Sequence, residues 1–192
     1  MTRRDIDDEG RSELVPCKVE EKYPDVPWDE SYRLSRLIGL SPDDKSFLFK
    51  LVHVLLPSKE RVHHLSPNTS PLCLCGSGDQ ETYKHLFFQC QLNSEAGEAL
   101  FRCVKSYDQS LTLEKMLRLE MVSDDPFLLA SVSLLATGLS LIWQNRKVSK
   151  NTTLYLMRAE LEAAVSVRRR SRLARIREAG TIMKNMIDNF LR

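Results

Sequence analysis

Apolar residues recur every three or four positions along most of the chain, which is the spacing of an amphipathic α-helix. Five segments carry this pattern: residues 28–38, 47–55, 94–107, 113–119 and 154–165. Ser41 followed by Pro42 marks one helix start, because serine caps free backbone N–H groups and proline suits the first helical position. Strict alternation of apolar and polar residues, which predicts strands, is sparse. The sequence therefore predicts a mainly α-helical fold.

The longest apolar segment, residues 126–143, contains no charged residue. It is just long enough to be considered as a membrane span. Small and polar residues dilute it, however, among them Ser131, Ser133 and Thr137. Nothing else in the chain resembles membrane topology. We interpret the segment as a buried helix at the centre of a helical domain, and we predict no contact with a membrane.

The chain has 192 residues, of which 42% are hydrophobic and 28% are charged, as is usual for a globular protein. Three regions differ in character. Residues 1–27 are acidic and interrupted by prolines, which predicts a disordered N-terminal tail. Residues 28–150 form the predicted helical domain, and residues 151–192 predict a basic, amphipathic helical extension at the C-terminus.

A cluster of cysteines and one histidine carries the clearest chemical signal in the chain. Cys73 and Cys75 are separated by one residue, and His85 and Cys90 are separated by four. Three thiolates and one imidazole in two close pairs suit tetrahedral zinc. Each pair closes a short loop, so little chain entropy is lost when its members meet. With four ligands and no open position, we predict a structural zinc site in a turn of the helical domain.

Two alternatives remain open for this cluster. In the first, its cysteines are ordinary buried residues that lie close together by chance. In the second, one of the cysteines is a nucleophile paired with His85. A catalytic site of that kind needs a third, orienting group and no competing thiols nearby. Clustered cysteines favour metal in a reducing compartment over disulfides. The first residues lack the apolar core of a signal peptide, so we expect an intracellular protein, in the nucleus or the cytoplasm.

Positive charge is concentrated towards the C-terminus, although the formal net charge is only +2. Residues 1–30 carry ten acidic and five basic residues, whereas residues 141–192 carry twelve basic and four acidic ones. The densest basic cluster consists of Arg168, Arg169, Arg170, Arg172, Arg175 and Arg177. Such a cluster predicts binding to the phosphates of RNA or DNA, a solvated helix face, or an internal contact with the acidic region. No aromatic residue interrupts it, so it does not indicate stacking on unpaired bases.

Two neighbouring passages also match a known arrangement. A helix that ends in Leu56-Pro57-Ser58-Lys59-Glu60-Arg61 precedes the cluster, where Cys75-Gly76, Glu81-Thr82, His85-Leu86-Phe87-Phe88 and Cys90 follow in order. In this respect residues 30–150 resemble the C-terminal zinc-binding region of non-LTR retrotransposon reverse transcriptases. The single residue between Cys73 and Cys75 departs from the commoner two-residue gap of that family.

The resemblance implies a parent polyprotein with a polymerase and commonly a nuclease. We find no glycine-rich phosphate loop, nucleophile elbow or spaced trio of carboxylates in the chain. The pair Asp124-Asp125 is the one that looks most like a polymerase metal site, but it precedes Pro126 and is better explained as a helix cap. We therefore predict a zinc-binding accessory module that binds nucleic acid and has no catalysis of its own.

Two other functions are compatible with the sequence. The first is a zinc-stabilised interaction scaffold, in which residues 173–190 offer an apolar stripe to a helical protein partner. The residues of this stripe are Leu173, Ile176, Met183, Ile187 and Phe190. The second is a remnant of a longer element that has no selected activity.

Overall fold

The computed structural model describes residues 18–65, 68–121, 126–148 and 150–190. Its α-helices are α1 (Lys18–Lys22), α2 (Trp28–Leu34), α3 (Pro42–Val52), α4 (Lys59–Val62), α5 (Ser94–Lys105), α6 (Leu113–Leu117), α7 (Phe127–Lys147), α8 (Leu154–Arg169) and α9 (Ala174–Phe190). A short 3₁₀-helix, His63–Leu65, follows α4, and a π-helix, His85–Gln89, precedes α5. Within the described residues, strand-like pairing is limited to the isolated bridges Ile38–Leu40 and Leu72–Gln80. The prediction of a mainly α-helical fold is confirmed.

The apolar segment forms α7, the central helix of the hydrophobic core. Helices α3, α5, α8 and α9 all pack against it. Leu129, Leu135 and Leu139 of α7 are fully buried, and so is Ser133. By length and composition α7 could cross a membrane, but 72% of its most apolar 18-residue stretch is buried inside the protein. Packing against the surrounding helices accounts for its hydrophobic character.

Side-chain caps fix the starts of two helices where the sequence predicts them. Asp44 N donates a hydrogen bond to Ser41 Oγ at 3.0 Å, and Ser41 N donates to the Asp44 carboxylate at 3.3 Å. This reciprocal pair satisfies two of the N–H groups that the start of α3 leaves open. Leu156 N likewise donates to Thr153 Oγ1 at 3.3 Å at the start of α8. The helix start predicted at Ser41 is confirmed, and Thr153 caps the helix that the apolar segment 154–165 predicts.

The C-terminal region belongs to the core. Helices α8 and α9 form a hairpin, and α9 packs against α5, α7 and α8. Met183 and Ile187 are fully buried, and Ile176 is partly buried against the core. Leu173 is 55% exposed, and the side chain of Phe190 lies outside the described residues. Most of the apolar stripe predicted for a helical partner is therefore used within the fold.

The predicted disordered tail, residues 1–27, extends too far into the chain. Helix α1 begins at Lys18, and Val19 and Val26 are buried. The Tyr32 hydroxyl of α2 donates a hydrogen bond to the Glu20 carboxylate at 2.7 Å, which ties α1 to the next helix. Apolar burial and this bond hold residues 18–27 against the domain. Residues 1–17 and the pair Asp124-Asp125 lie outside the described residues.

Candidate metal centre

A tight backbone loop presents Cys73 and Cys75. Cys73 N donates a hydrogen bond to Asp79 O at 2.8 Å, and Glu81 N donates to Pro71 O at 2.9 Å. Between these bonds the chain reverses through two glycines with positive φ, +84° at Gly76 and +81° at Gly78. A residue with a Cβ is disfavoured at such angles. The Gly-Ser-Gly sequence therefore permits the turn that the first ligand pair needs.

The second pair lies on a π-helix. Cys90 N donates to His85 O at 2.7 Å, five residues back, and His85 N donates to Thr82 Oγ1 at 3.0 Å. In a regular α-helix, residues five apart lie about 140° apart around the axis. The wider π turn reduces that angle, so His85 and Cys90 point to the same side. Single π turns of this kind occur frequently at functional sites.

The apolar residues between the second pair anchor the π-helix in the core. Leu86, Phe87 and Phe88 are buried, with 1%, 0% and 3% of their surface exposed. Asn93 Nδ2 donates to Leu86 O at 3.3 Å. At Gly97 the backbone of α5 approaches so closely that a Cβ would lie 1.8 Å from Phe87 O. These three apolar residues pack in the core, and α5 holds the π-helix in position.

The four predicted ligands converge. Their donor atoms all lie within 4.8 Å of one another. Cys73 Sγ and Cys90 Sγ are 3.7 Å apart, and Cys75 Sγ is 3.4 Å from His85 Nε2. A tetrahedral zinc with the usual bond lengths places two sulfurs about 3.8 Å apart, and a sulfur and a nitrogen about 3.6 Å apart. A disulfide would require about 2.05 Å between the sulfurs. The residues therefore form a cluster that could bind a metal ion.

The three thiols differ in their acidity. Burial raises the pKa of Cys90 to about 12, and burial also raises the pKa of Cys73. Burial acts in the same direction on Cys75, but hydrogen bonds with Ser77, His85 and Cys73 outweigh it and lower that pKa to about 6. Because a metal binds thiolates, an incoming ion would displace protons mainly from Cys73 and Cys90.

Asp79 lies next to the cluster, on the side of Nδ1, the ring nitrogen of His85 that faces away from the sulfurs. Its Oδ2 is 3.7 Å from His85 Nδ1, while Nε2 faces the sulfurs. A carboxylate behind a ligand histidine orients the ring and increases the basicity of the nitrogen that binds metal. Sequence reasoning did not single out this residue, although its position between the two ligand pairs is a signal that could have found it.

A buried ion pair connects the loop to the core. Glu81 is fully buried, and its Oε1 accepts hydrogen bonds from Lys59 N at 2.8 Å and from Arg146 Nε at 3.0 Å. Arg146 Nη2 also contacts Glu81, and the guanidinium lies 4.6 Å from the centre of the Trp143 ring. These contacts join the loop, the start of α4 and the end of α7. The sequence contains no local signal for this pairing, because its partners are 65 residues apart.

The predicted nucleic-acid-binding arginines divide into two groups. Arg168 is only 6% exposed, and its guanidinium donates to Ser133 Oγ at 3.1 Å and lies 3.5 Å from Asp44 Oδ2. It therefore stabilises the core and does not belong to the basic surface predicted from the sequence. The other five members of the cluster are exposed at the turn between α8 and α9: Arg169, Arg170, Arg172, Arg175 and Arg177.

Comparisons with known proteins identify no relative. No protein-family model matches the chain, and neither does any curated protein or solved structure. The resemblance to reverse transcriptases consequently stays a prediction from the sequence motifs.

Proposed function

We propose that the chain is a zinc-stabilised helical module that binds nucleic acid and has no catalytic activity. The observation that carries the zinc assignment is the pair of distances in the cluster, 3.7 Å between two sulfurs and 3.4 Å between sulfur and imidazole nitrogen. Both are close to the spacing of a tetrahedral zinc with three thiolates and one imidazole. Such a ligand set leaves no open position for substrate or water, which favours a structural role.

The arginines at the α8–α9 turn support the nucleic-acid part of the proposal. Five exposed guanidinium groups within nine residues give a dense positive surface, at Arg169, Arg170, Arg172, Arg175 and Arg177. Arginine suits phosphate recognition because its planar fork donates two parallel hydrogen bonds. Neutralising phosphates releases counterions and supplies affinity that decreases with salt. The module resembles, on this proposal, the part of a reverse transcriptase that grips its RNA or target DNA.

Metal content tests the first half of the proposal. Protein purified under reducing conditions should contain one zinc per chain, and removing the zinc with a chelator should lower the melting temperature. Cys90→Ala should abolish zinc binding. Cys103→Ala is the matched control, because Cys103 is also fully buried but lies outside the cluster. Zinc-free wild-type protein with an unchanged melting temperature would overturn the assignment, since structural zinc contributes directly to folding.

Nucleic-acid binding tests the second half. Fluorescence anisotropy with a labelled single-stranded RNA, a single-stranded DNA and a DNA duplex should detect binding at low salt that weakens as salt is added. Replacing Arg169, Arg170 and Arg172 together by glutamine should reduce that affinity and flatten the salt dependence. Absence of binding to all three probes at low salt would refute the nucleic-acid proposal and leave the zinc proposal intact.

Because thiolate ligands need reducing conditions, we assign the protein to the nucleus or cytoplasm.

A further inference from the structure

A cleft on the surface of the domain brings arginines from distant parts of the sequence together. It has a volume of about 630 Å³ and lies between the end of α2 and the start of α9. Its lining residues are Asp29, Tyr32, Arg33, Arg36, Leu37, Ile38 and Arg175. The volume is in the range typical of small-ligand sites. Arg175 is the member of the exposed α8–α9 group that enters this cleft.

The charge of the cleft is predominantly positive. Arg33, Arg36 and Arg175 contribute three guanidinium groups, against the carboxylate of Asp29. Arg33 is bound to Glu30, one turn earlier on the same helix, so its charge is partly neutralised. Arg36, in the turn that follows α2, and Arg175, at the start of α9, are both exposed. An anion between them would be contacted from two sides, as arginine forks contact phosphate.

Close packing fixes the spacing of the two walls. Gly39 follows α2 with a φ of +104°, and a Cβ built there would lie 3.2 Å from Ile176 Cγ1 of α9. The missing side chain lets the backbone after α2 rest directly on the residue that follows Arg175. Leu37 is buried beneath the cleft, with 7% of its surface exposed. The cleft is thus part of the packed fold, with Arg175 on α9 and Arg36 in the turn that leads to Gly39.

One wall of the cleft is apolar. The Ile38 side chain is 72% exposed and lines the cleft together with the arginines. Tyr32 lines the same cleft, and its ring stacks on His53 with 4.5 Å between ring centres and 4° between the planes. An apolar surface beside cationic groups matches a nucleotide, which has a flat base and an anionic phosphate.

We propose that this cleft binds one nucleotide of a single-stranded nucleic acid. Arg36 and Arg175 bind the phosphate, and the unstacked base lies against Ile38 and the edge of Tyr32. A paired, stacked base cannot enter such a cleft, whereas single-stranded RNA or DNA can turn a base outwards. This inference rests on the proposed nucleic-acid binding and specifies its substrate class: the strand runs along the α8–α9 turn and places one nucleotide between α2 and α9.

The test uses the full chain with zinc and compares three variants: Arg36→Gln, Arg175→Gln and, as the control, Arg102→Gln. The control removes the same charge from an exposed position on α5 that does not line this cleft. Binding of labelled single-stranded RNA, single-stranded DNA and duplex DNA is followed by fluorescence anisotropy at several salt concentrations. Melting curves confirm that every variant is folded. Adenosine monophosphate is added as a competitor to separate binding of a nucleotide from binding of a long polyanion.

We expect each cleft variant to lose roughly three- to tenfold in affinity for the single strands, with a salt slope smaller by about 0.7 for one lost phosphate contact. Arg102→Gln should retain most of the affinity. Adenosine monophosphate should displace the labelled single strands only from protein that has both cleft arginines. Equal binding of duplex and single strands, or equal losses in all three variants, would overturn the cleft inference while leaving nucleic-acid binding in place. Failure to bind any of the three nucleic acids would refute the proposed function and, with it, the binding of a single strand in the cleft.

Discussion

The contact between α5 and the π-helix makes Gly97→Ala a sharp test of how the metal centre is held. A Cβ at position 97 would lie 1.8 Å from Phe87 O and 2.9 Å from Phe87 C, whereas real Cβ contacts are essentially never closer than 3.0 Å. Both obstructing atoms belong to the backbone, so no side-chain rotation can relieve the clash. The two helices must move apart by more than an ångström, and the π-helix carries His85 and Cys90.

The change in stability that we expect for Gly97→Ala has the opposite sign to the one that helix propensity predicts. Replacing a mid-helix glycine by alanine stabilises a helix by about 1 kcal/mol. Forcing extra atoms into a packed core costs about 1–3 kcal/mol, and a backbone clash belongs at the upper end of that range. We therefore expect Gly97→Ala to lower the free energy of unfolding by about 2 kcal/mol net. The displaced π-helix should also weaken zinc binding by about tenfold, because ligand positions tolerate only small shifts.

Urea unfolding followed by circular dichroism, with zinc in excess, measures the stability, and competition with a chromophoric chelator measures the zinc affinity. Glu98→Ala serves as the control on the same helix, because Glu98 is exposed and the change should alter stability by less than about 0.5 kcal/mol. Gly138→Ala should cost less than Gly97→Ala, since its Cβ meets the movable side-chain ends of Leu100 and Met157 at 2.7 Å and 3.0 Å. A Gly97→Ala protein as stable as wild type, with unchanged zinc affinity, would refute the reasoning.

Three further predictions follow from buried and near-ligand charges. Glu81→Ala should lower the free energy of unfolding, measured by urea titration, by about 3–5 kcal/mol, because it leaves the half-buried Arg146 unpaired. Glu114→Ala removes an exposed ion pair with Lys84 and should cost less than about 1 kcal/mol in the same titration. Asp79→Asn should weaken zinc binding by about tenfold in chelator competition without unfolding the zinc-loaded protein; an unchanged affinity would exclude an orienting role. Arg168→Met should reduce stability but leave the affinity for single-stranded RNA, measured by anisotropy, unchanged. Arg170→Gln should reduce that affinity and leave stability unchanged. A loss of RNA affinity in the Arg168 variant would show that this residue belongs to the binding surface.

Local features of the chain were predictable from sequence because their determinants are adjacent. Ser41 and Thr153 cap their own helices, so the starts of α3 and α8 can be read directly. The candidate metal ligands form two short-range pairs, and the glycines that turn the chain lie beside the first pair. The apolar run of α7 predicts burial through composition alone. In each case the signal in the sequence is carried by residues within a few positions of one another, or by the composition of one continuous segment.

The features that sequence reasoning missed depend on pairing across the fold. Arg168 belongs to a run of similar arginines, and its contacts with Asp44, 124 residues away, and with Ser133 distinguish it. The sequence shows an apolar stripe on α9, which we predicted as a surface for a helical partner, but it cannot show that α5, α7 and α8 pack against this helix. The cleft between Arg36 and Arg175 has the same origin, because residues so distant in sequence become neighbours only through helix packing.

A buried ion pair and a buried hydrogen bond explain how an almost wholly apolar helix takes a defined position. A hydrophobic surface of suitable size packs in several similar arrangements, so α7 alone specifies its rotation and depth weakly. Near its end, Arg146 must reach Glu81 of the metal-binding loop, and in its middle, Ser133 must meet Arg168 from α8. A rotation or shift of α7 would separate Arg146 from the buried Glu81 carboxylate and Ser133 from Arg168, which costs far more than an altered apolar contact. The same contacts therefore hold α7 in register and place the metal-binding loop and the basic α8–α9 turn at fixed positions on one core.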